Sequence, residues 1–116
     1  MINTRQEGLL CYCIPKKDER LNMTINEIAE QNYLWVEKMG WHNKTTLEAL
    51  ALVASEVGEA INECRHEKPS ENFSEELADI VLRVLDLAHW QGIDMEKALL
   101  LKMAKNEQRG SRGRVK

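Results

Sequence analysis

After residue 23, apolar and polar residues recur along most of the chain with the period of an α-helix. Four segments show this period, and each is bounded by residues that favour the start or the end of a helix. The two-residue alternation of a half-buried β-strand is not sustained in the sequence. Helices joined by short loops, without strands between them, predict an all-α domain built as a four-helix bundle.

Residues with capping chemistry predict the helix boundaries. Thr24 and Thr45 each have a glutamate three residues later, which is the spacing of a capping box. Asn72 and Asp94 are the corresponding candidates before the third and fourth helices. The predicted helices therefore span about 24–39, 45–66, 72–91 and 94–109, with Gly40, Pro69, Gly92 and Gly110 as the residues that stop them.

The chain outside these helices has a different character. Residues 1–23 lack sustained periodicity and predict an irregular arm, and residues 110–116 are basic and contain two glycines, which predicts a flexible tail. No Pro-, Gly- or Ser-rich stretch divides the part between them. The sequence thus predicts one helical domain over 24–109.

The second predicted helix has an apolar stripe and a separate acidic face. Glu56, Glu59 and Glu63 fall on the acidic face together with Leu52, a large apolar residue that a purely solvated face would not need. The stripe predicts the side of the helix that faces the core, and it contains Leu47, Leu50, Ala54, Val57, Ile61 and Cys64.

The third predicted helix repeats this arrangement. Glu76 and Asp79 share a band with Arg83 and Trp90, next to the predicted core stripe. That stripe contains Leu77, Ile80, Val81, Val84 and Ala88. Acidic side chains three residues apart on a helix lie one above the other and can converge on a single ion.

The two acidic pairs predict a divalent-metal site whose ligands are Glu56, Glu59, Glu76 and Asp79. A set of ligands made only of oxygen favours Mg²⁺, or Mn²⁺, because Zn²⁺ would favour cysteine and histidine. Bound Mg²⁺ commonly shares its coordination with substrate phosphates, which points to phosphoryl chemistry. The alternative is that these are ordinary exposed carboxylates on amphipathic helices.

Three segments carry a resemblance to a known family. They are SEVGEA at 55–60, EELAD at 75–79 and KMAKNEQR at 102–109. Together they resemble the MazG-like all-α nucleoside triphosphate pyrophosphohydrolases, whose pattern is Glu-Glu-x-x-Glu, then Glu-x-x-Asp, then a lysine and an asparagine on the last helix. The likeness covers about residues 25–109, and the combination is more specific than either acidic motif alone.

The resemblance implies Mg²⁺-dependent hydrolysis of a nucleoside triphosphate, with deoxynucleotides as the preferred substrates, to the monophosphate and pyrophosphate. It also implies that Lys102, Asn106 and Arg109 face the phosphates, although a solvated helix end is the alternative interpretation of the two basic residues. A carboxylate that the metal does not saturate could deprotonate the attacking water, and Glu56 and Glu59 are the candidates for this role.

The sequence departs from the family pattern at two positions. Ser55 replaces the first glutamate of the first motif, and Arg83 stands where some relatives have tyrosine. Arg83 could bind a phosphate or pair with Asp79. Trp41 and His42 lie where relatives collect aromatic and polar residues around the nucleobase, and the alternative is a core tryptophan beside an exposed loop histidine.

Composition narrows the location and the partners. A net charge of −3 with both signs interspersed disfavours binding to a nucleic-acid polymer. Three cysteines predict free thiols in the cytoplasm, and no apolar run is long enough to cross a membrane. Members of the resembled family assemble as homodimers or homotetramers, so we expect self-association. A phosphoribosyl-ATP pyrophosphohydrolase and a non-catalytic helical interaction module are the alternative functions.

Overall fold

A computed structural model of the chain describes residues 21–110, and this part is all-α. Its helices are α1 (Ile25–Lys38), α2 (Thr46–Asn62), α3 (Phe73–Trp90) and α4 (Met95–Arg109). The four predicted helices are therefore confirmed. Most of the predicted N-terminal arm, with Cys11 and Cys13, and the tail after Gly110 lie outside the described residues.

Local capping chemistry sets the start of three of the four helices. Thr24 and Glu27 form a complete capping box before α1, and Thr45 and Glu48 form one before α2. The carboxylate of Asp94 accepts a hydrogen bond of 3.0 Å from the amide of Lys97, which caps α4. These boundaries agree with the prediction because each depends on residues within one helical turn.

Asn72 precedes α3 as predicted, but its side chain does not cap the helix. Asn72 has helical backbone angles, with φ −83° and ψ −6°, and its side chain makes no capping hydrogen bond. A capping residue needs an extended backbone for its side chain to reach the free amides of the first turn. The amide of Phe73 instead donates to the carbonyl of Ser70 at 3.1 Å.

The second helix also ends earlier than predicted, at Asn62 rather than near residue 66. The loop after it turns back on the helix end, because the amide of Ser70 donates to the carbonyl of Glu63 at 3.0 Å. The Ser70 hydroxyl donates to the Glu63 carboxylate as well. Cys64, an exposed free thiol, therefore lies in the loop and not on the helix.

Helix α3 is the centre of the described fold. Helices α1 and α2 each pack against α3 rather than against each other. Helix α4 is joined to α1 near its start, where the side chain of Asn26 donates to Asp94 at 2.8 Å and accepts from the amide of Glu96 at 3.2 Å. Beyond this point α4 buries no residue, so the four helices do not close into a compact bundle within one copy.

The predicted core stripe of α2 is wrong for a single copy of the chain. Leu47 is 77% exposed and Ile61 is 65% exposed, and the other members of the stripe are exposed too. The face that packs on α3 instead contains Ala49, Leu52, Val53, Glu56 and Ala60. Helix α2 is apolar on two sides, and periodicity alone does not show which side another helix covers.

The prediction for α3 is correct in part. Ile80, Val84 and Ala88 are buried or half-buried, whereas Leu77 and Val81 remain exposed. Leu85, which the predicted stripe omits, is only 5% exposed because α3 is covered by neighbours on more than one side. In the part of the chain that the structure describes, no helix has the length and apolar character needed to span a membrane.

Candidate functional site

Three carboxylates from two helices meet between α2 and α3. One oxygen each from Glu56, Glu76 and Asp79 lies within 4.8 Å of the other two. The site forms because the side of α2 that packs on α3 is the side that carries Glu56, while Glu76 and Asp79 lie one turn apart on α3. Oxygens around a six-coordinate Mg²⁺ are about 3–4 Å apart, so a small inward movement would fit these three to one ion.

The state of Glu76 shows that this cluster suits a cation. The Oε2 atom of Glu76 is buried and, among the described residues, has no hydrogen-bond partner. Loss of solvent raises the pKa of Glu76, and the neighbouring charges of Glu59, Asp79 and Glu56 raise it further. A divalent cation would satisfy the lone buried oxygen and offset the repulsion, so the donor set fits the predicted Mg²⁺ or Mn²⁺.

Glu59 lies outside the group of three. It is exposed on α2, one turn after Glu56, yet it is close enough for its charge to raise the pKa of Glu76. The structure thus brings together three of the four predicted ligands and leaves the fourth beside them.

Arg83 is paired with a member of the cluster. Its Nε donates to Oε1 of Glu56 at 2.7 Å. Of the two roles left open by the sequence, pairing is observed, but the partner is Glu56 on α2 rather than Asp79 on the same helix. This contact crosses from α3 to α2, so the spacing of charges along one helix could not reveal it.

A cavity of about 570 Å³ adjoins the carboxylates, a volume typical of small-molecule sites. Glu56, Asp79 and Arg83 form part of its wall. Three indole rings also line it, those of Trp35, Trp41 and Trp90. Arg83 next to flat aromatic surfaces provides the two kinds of contact that a nucleotide needs, a cation for phosphate and a ring face for a base.

Trp41 lies at the cavity and is half exposed, with its ring edge-on to Trp35 at a centroid distance of 5.1 Å. The face of an exposed indole can accept a nucleobase by stacking. Trp41 is therefore not the fully buried core residue of the alternative interpretation.

His42 connects two carboxylates at the edge of the same cavity. Its Nδ1 lies 2.6 Å from Glu37, and its Nε2 lies 2.8 Å and 3.1 Å from the two carboxylate oxygens of Asp86. Burial acts to lower the pKa of His42, but the hydrogen bonds that its ring donates to Asp86 and Glu37 outweigh this effect and raise that pKa above 6.5. The ring also stacks on Tyr33 at 4.4 Å.

These contacts change how His42 can contribute. Both of its ring nitrogens are already engaged, and only 10% of its side chain is exposed, so it is not the exposed loop histidine of the alternative interpretation. It holds Asp86, which itself lines the cavity. The sequence analysis missed Asp86, although its position seven residues after Asp79 places it on the same face of α3.

The predicted phosphate-binding residues of α4 do not line this cavity. Lys102, Asn106 and Arg109 are exposed, and none of them lines the cavity of its own copy. The Nη2 of Arg109 donates to the Oδ1 of Asn106 at 3.0 Å. Within one copy, the structure does not bring these three residues to the carboxylates.

Comparison with protein families gives one match of direct relevance to this geometry. Residues 44–112 match the family model described as the MazG nucleotide pyrophosphohydrolase domain, and this span contains the three carboxylates and all of α2, α3 and α4. Comparisons with curated proteins and with solved structures found no significant match. Because the matched span covers more than half of the chain, the family assignment follows directly: the chain belongs to the MazG nucleotide pyrophosphohydrolase family.

Proposed function

We propose that the chain hydrolyses nucleoside triphosphates, preferentially deoxynucleoside triphosphates, to the monophosphate and pyrophosphate in a Mg²⁺-dependent reaction. The observation that carries this proposal is the convergence of Glu56, Glu76 and Asp79 beside an aromatic-lined cavity, whose wall includes Glu56 and Asp79. Membership of a pyrophosphohydrolase family supports the reaction class. The preference for deoxynucleotides comes from the resemblance of the motifs.

The three carboxylates are the ligands we assign to Mg²⁺, with Mn²⁺ as a substitute. When bound, the ion supplies neutralisation of the phosphate charge, which is the main requirement of phosphoryl transfer. Glu76 contributes an oxygen that has no hydrogen-bond partner among the described residues, and Glu56 and Asp79 each have an oxygen close to that side chain.

We assign Glu59 as the general base that orients and deprotonates the attacking water, and Glu56 is the alternative for this role. Glu59 stands beside the metal ligands but outside their group, and it is exposed, so water can reach its oxygens. It would take a proton as the water oxygen bonds to the α-phosphorus. The bond from that phosphorus to its bridging oxygen breaks, and pyrophosphate leaves.

The nucleobase is assigned to the aromatic part of the cavity. Trp41 offers an exposed ring for stacking, and His42 keeps Asp86 in place at the wall. This retains Trp41 and His42 as base-site residues, the first by contact and the second by positioning.

A second copy of the chain completes the phosphate site in this proposal. Helices α2 and α4 expose large apolar residues, including Leu47, Ile61 and Leu100, which a self-associating face would cover. Leu99 and Met103 lie on α4 next to Lys102 and Asn106. Burial of this face against another copy would carry Lys102, Asn106 and Arg109 towards that copy's cavity, in a homodimer or homotetramer.

Product analysis tests the reaction. The purified protein is incubated with each deoxynucleoside and ribonucleoside triphosphate and with phosphoribosyl-ATP, with Mg²⁺ or with a chelator, and the products are separated by ion exchange. We expect monophosphate and pyrophosphate, in equal amounts, only with the metal. Release of orthophosphate would contradict the proposal. Cleavage of phosphoribosyl-ATP alone would support the alternative of a phosphoribosyl-ATP pyrophosphohydrolase. No turnover of any substrate would support the non-catalytic helical interaction module.

The cytoplasm is the location we propose, since the free thiol of Cys64 suits a reducing compartment.

A further inference from the structure

The ion pair between Arg83 and Glu56 is unusual because it includes a buried carboxylate. Glu56 is the only charged residue that is buried among those the structure describes, with 8% of its surface exposed. A carboxylate taken out of water needs a charged or hydrogen-bonding partner to remain ionised. Arg83 supplies this partner through a charge-assisted bond of 2.7 Å.

The same carboxylate also belongs to the metal-binding group. An ion held by Glu56, Glu76 and Asp79 would place two positive charges beside the guanidinium that already occupies Oε1 of Glu56. Two cations that compete for one carboxylate repel each other strongly in a site partly removed from water. Arg83 and a divalent cation at Glu56 would therefore disfavour each other in the geometry observed.

Arg83 has room to move away from Glu56. Its side chain is 42% exposed and lines the cavity that adjoins the carboxylates. A guanidinium on a flexible stem can move to a new anionic partner, and phosphate is one that it binds with two parallel hydrogen bonds.

We propose that Arg83 is an exchangeable internal counter-ion of the metal site. It neutralises Glu56 while the site holds no metal, leaves Glu56 when a divalent cation binds, and then pairs with the phosphates of the nucleotide. This inference rests on the proposed metal site, but it assigns Arg83 a positioning role that depends on its contact with Glu56. It makes metal binding and nucleotide binding mutually supportive, because each favours the same position of Arg83.

Binding of Mn²⁺ to the full chain without nucleotide tests the first part of the proposal, that Arg83 competes with the metal for Glu56. The binding is measured by calorimetry and by electron paramagnetic resonance. Arg83→Gln removes the competing cation, so we expect it to bind Mn²⁺ roughly fivefold or more tightly than the wild type. Arg83→Lys keeps the charge and should remain close to the wild type.

Lys44→Gln is the matched control, because it removes the same charge from the same cavity. Lys44 donates to the carbonyl of Trp41 and to Asn43 rather than to Glu56. We expect this control to change Mn²⁺ affinity by less than about twofold, the size of a distant screened charge. An Arg83→Gln protein that binds Mn²⁺ no better than the wild type would overturn the inference. An equal increase in Mn²⁺ affinity in Arg83→Gln and Lys44→Gln would overturn it too.

The second half is tested by repeating the titration with a non-hydrolysable triphosphate analogue. The analogue should tighten Mn²⁺ binding more in the wild type than in Arg83→Gln, and equal tightening would contradict the exchange. Circular dichroism spectra establish that each variant is folded before its affinity is compared. If neither protein binds Mn²⁺, the metal site itself is wrong and the inference fails with it.

The outcomes also separate this inference from the proposed function. Tighter Mn²⁺ binding by Arg83→Gln without any triphosphate hydrolysis by the wild type would leave the counter-ion role standing and remove the enzymatic role. Hydrolysis by the wild type with unchanged Mn²⁺ affinity in Arg83→Gln would support the enzymatic role and remove the counter-ion role.

Discussion

Glu56 on α2 and Asp79 on α3 present carboxylate oxygens within 4.8 Å of each other. Two like charges at this distance are unfavourable unless something offsets them, and a fold gains nothing in stability by placing them together. Arg83 offsets the charge of Glu56 at 2.7 Å, and the cation that we propose would offset the charges that Asp79 and Glu76 bring to the same place.

Glu76→Gln should abolish hydrolysis while its neighbour Glu75→Gln should not. Glu76 belongs to the metal-binding group, whereas Glu75 is exposed and lies outside it. Loss of a direct ligand should lower kcat/KM by about 100-fold or more, since even supporting groups around a metal are worth 10- to 100-fold. Initial rates at saturating Mg²⁺ measure this effect, and equal losses in the two variants would contradict the assignment.

The contribution of His42 to stability should depend on pH. Its folded-state pKa is raised above 6.5, so the stabilisation is fully present below that value and is lost as the pH rises through the folded-state pKa. We expect His42→Gln to lower Tm by about 5 °C near pH 6, because two charge-assisted hydrogen bonds are lost, and by less at higher pH.

Thermal unfolding followed by circular dichroism from pH 5.5 to pH 9 measures the difference between the two proteins. His66→Gln is the control, because His66 is exposed in the loop after α2. A gap between wild type and His42→Gln that widens with rising pH would show that the paired histidine is not the protonated form.

The exposed apolar face of α2 should be the surface through which copies associate. Ile61→Glu places a charge at a residue that is 65% exposed in one copy, so it should leave the fold intact and weaken association by about tenfold or more. Asn62→Glu adds the same charge at the next exposed position and serves as the control. Light scattering after size-exclusion chromatography gives the mass, and a wild type that is monomeric at all concentrations would refute the prediction.

Residues on α4 should act on the site of another copy. Glu76→Gln lacks a metal ligand and Lys102→Gln lacks a phosphate ligand, so each variant alone should be nearly inactive. In a mixture of the two, half of the dimers are mixed and each mixed dimer has one intact site, so activity should return to roughly a quarter of the wild type. No recovery after subunit exchange would place Lys102 within its own copy's site, and full activity of Lys102→Gln alone would place it outside catalysis.

Sequence reasoning was most successful where the deciding interactions are local. The capping boxes at Thr24 and Thr45 and the cap at Asp94 each involve residues within one turn, and they set three helix starts correctly. Glu76 and Asp79 could be grouped for the same reason, since a spacing of three residues puts them on one side of α3.

Interactions between helices were beyond the sequence pattern. Helix α2 carries apolar residues on two sides, and the side with Leu52 and Glu56 packs on α3, while the predicted stripe with Ile61 is exposed. The pairing of Arg83 with Glu56 and the link from His42 to Asp86 both join residues far apart in the chain. Only the packing of α1 and α2 on α3 determines these partners.

The most direct test of the account is hydrolysis of a deoxynucleoside triphosphate in ¹⁸O-labelled water, with mass analysis of both products. If a cation held by Glu56, Glu76 and Asp79 supports attack of water on the α-phosphorus, the label will appear in the monophosphate and not in pyrophosphate. This incorporation will require Mg²⁺ or Mn²⁺. Label in pyrophosphate or orthophosphate, or turnover that continues after removal of the metal, would contradict the account.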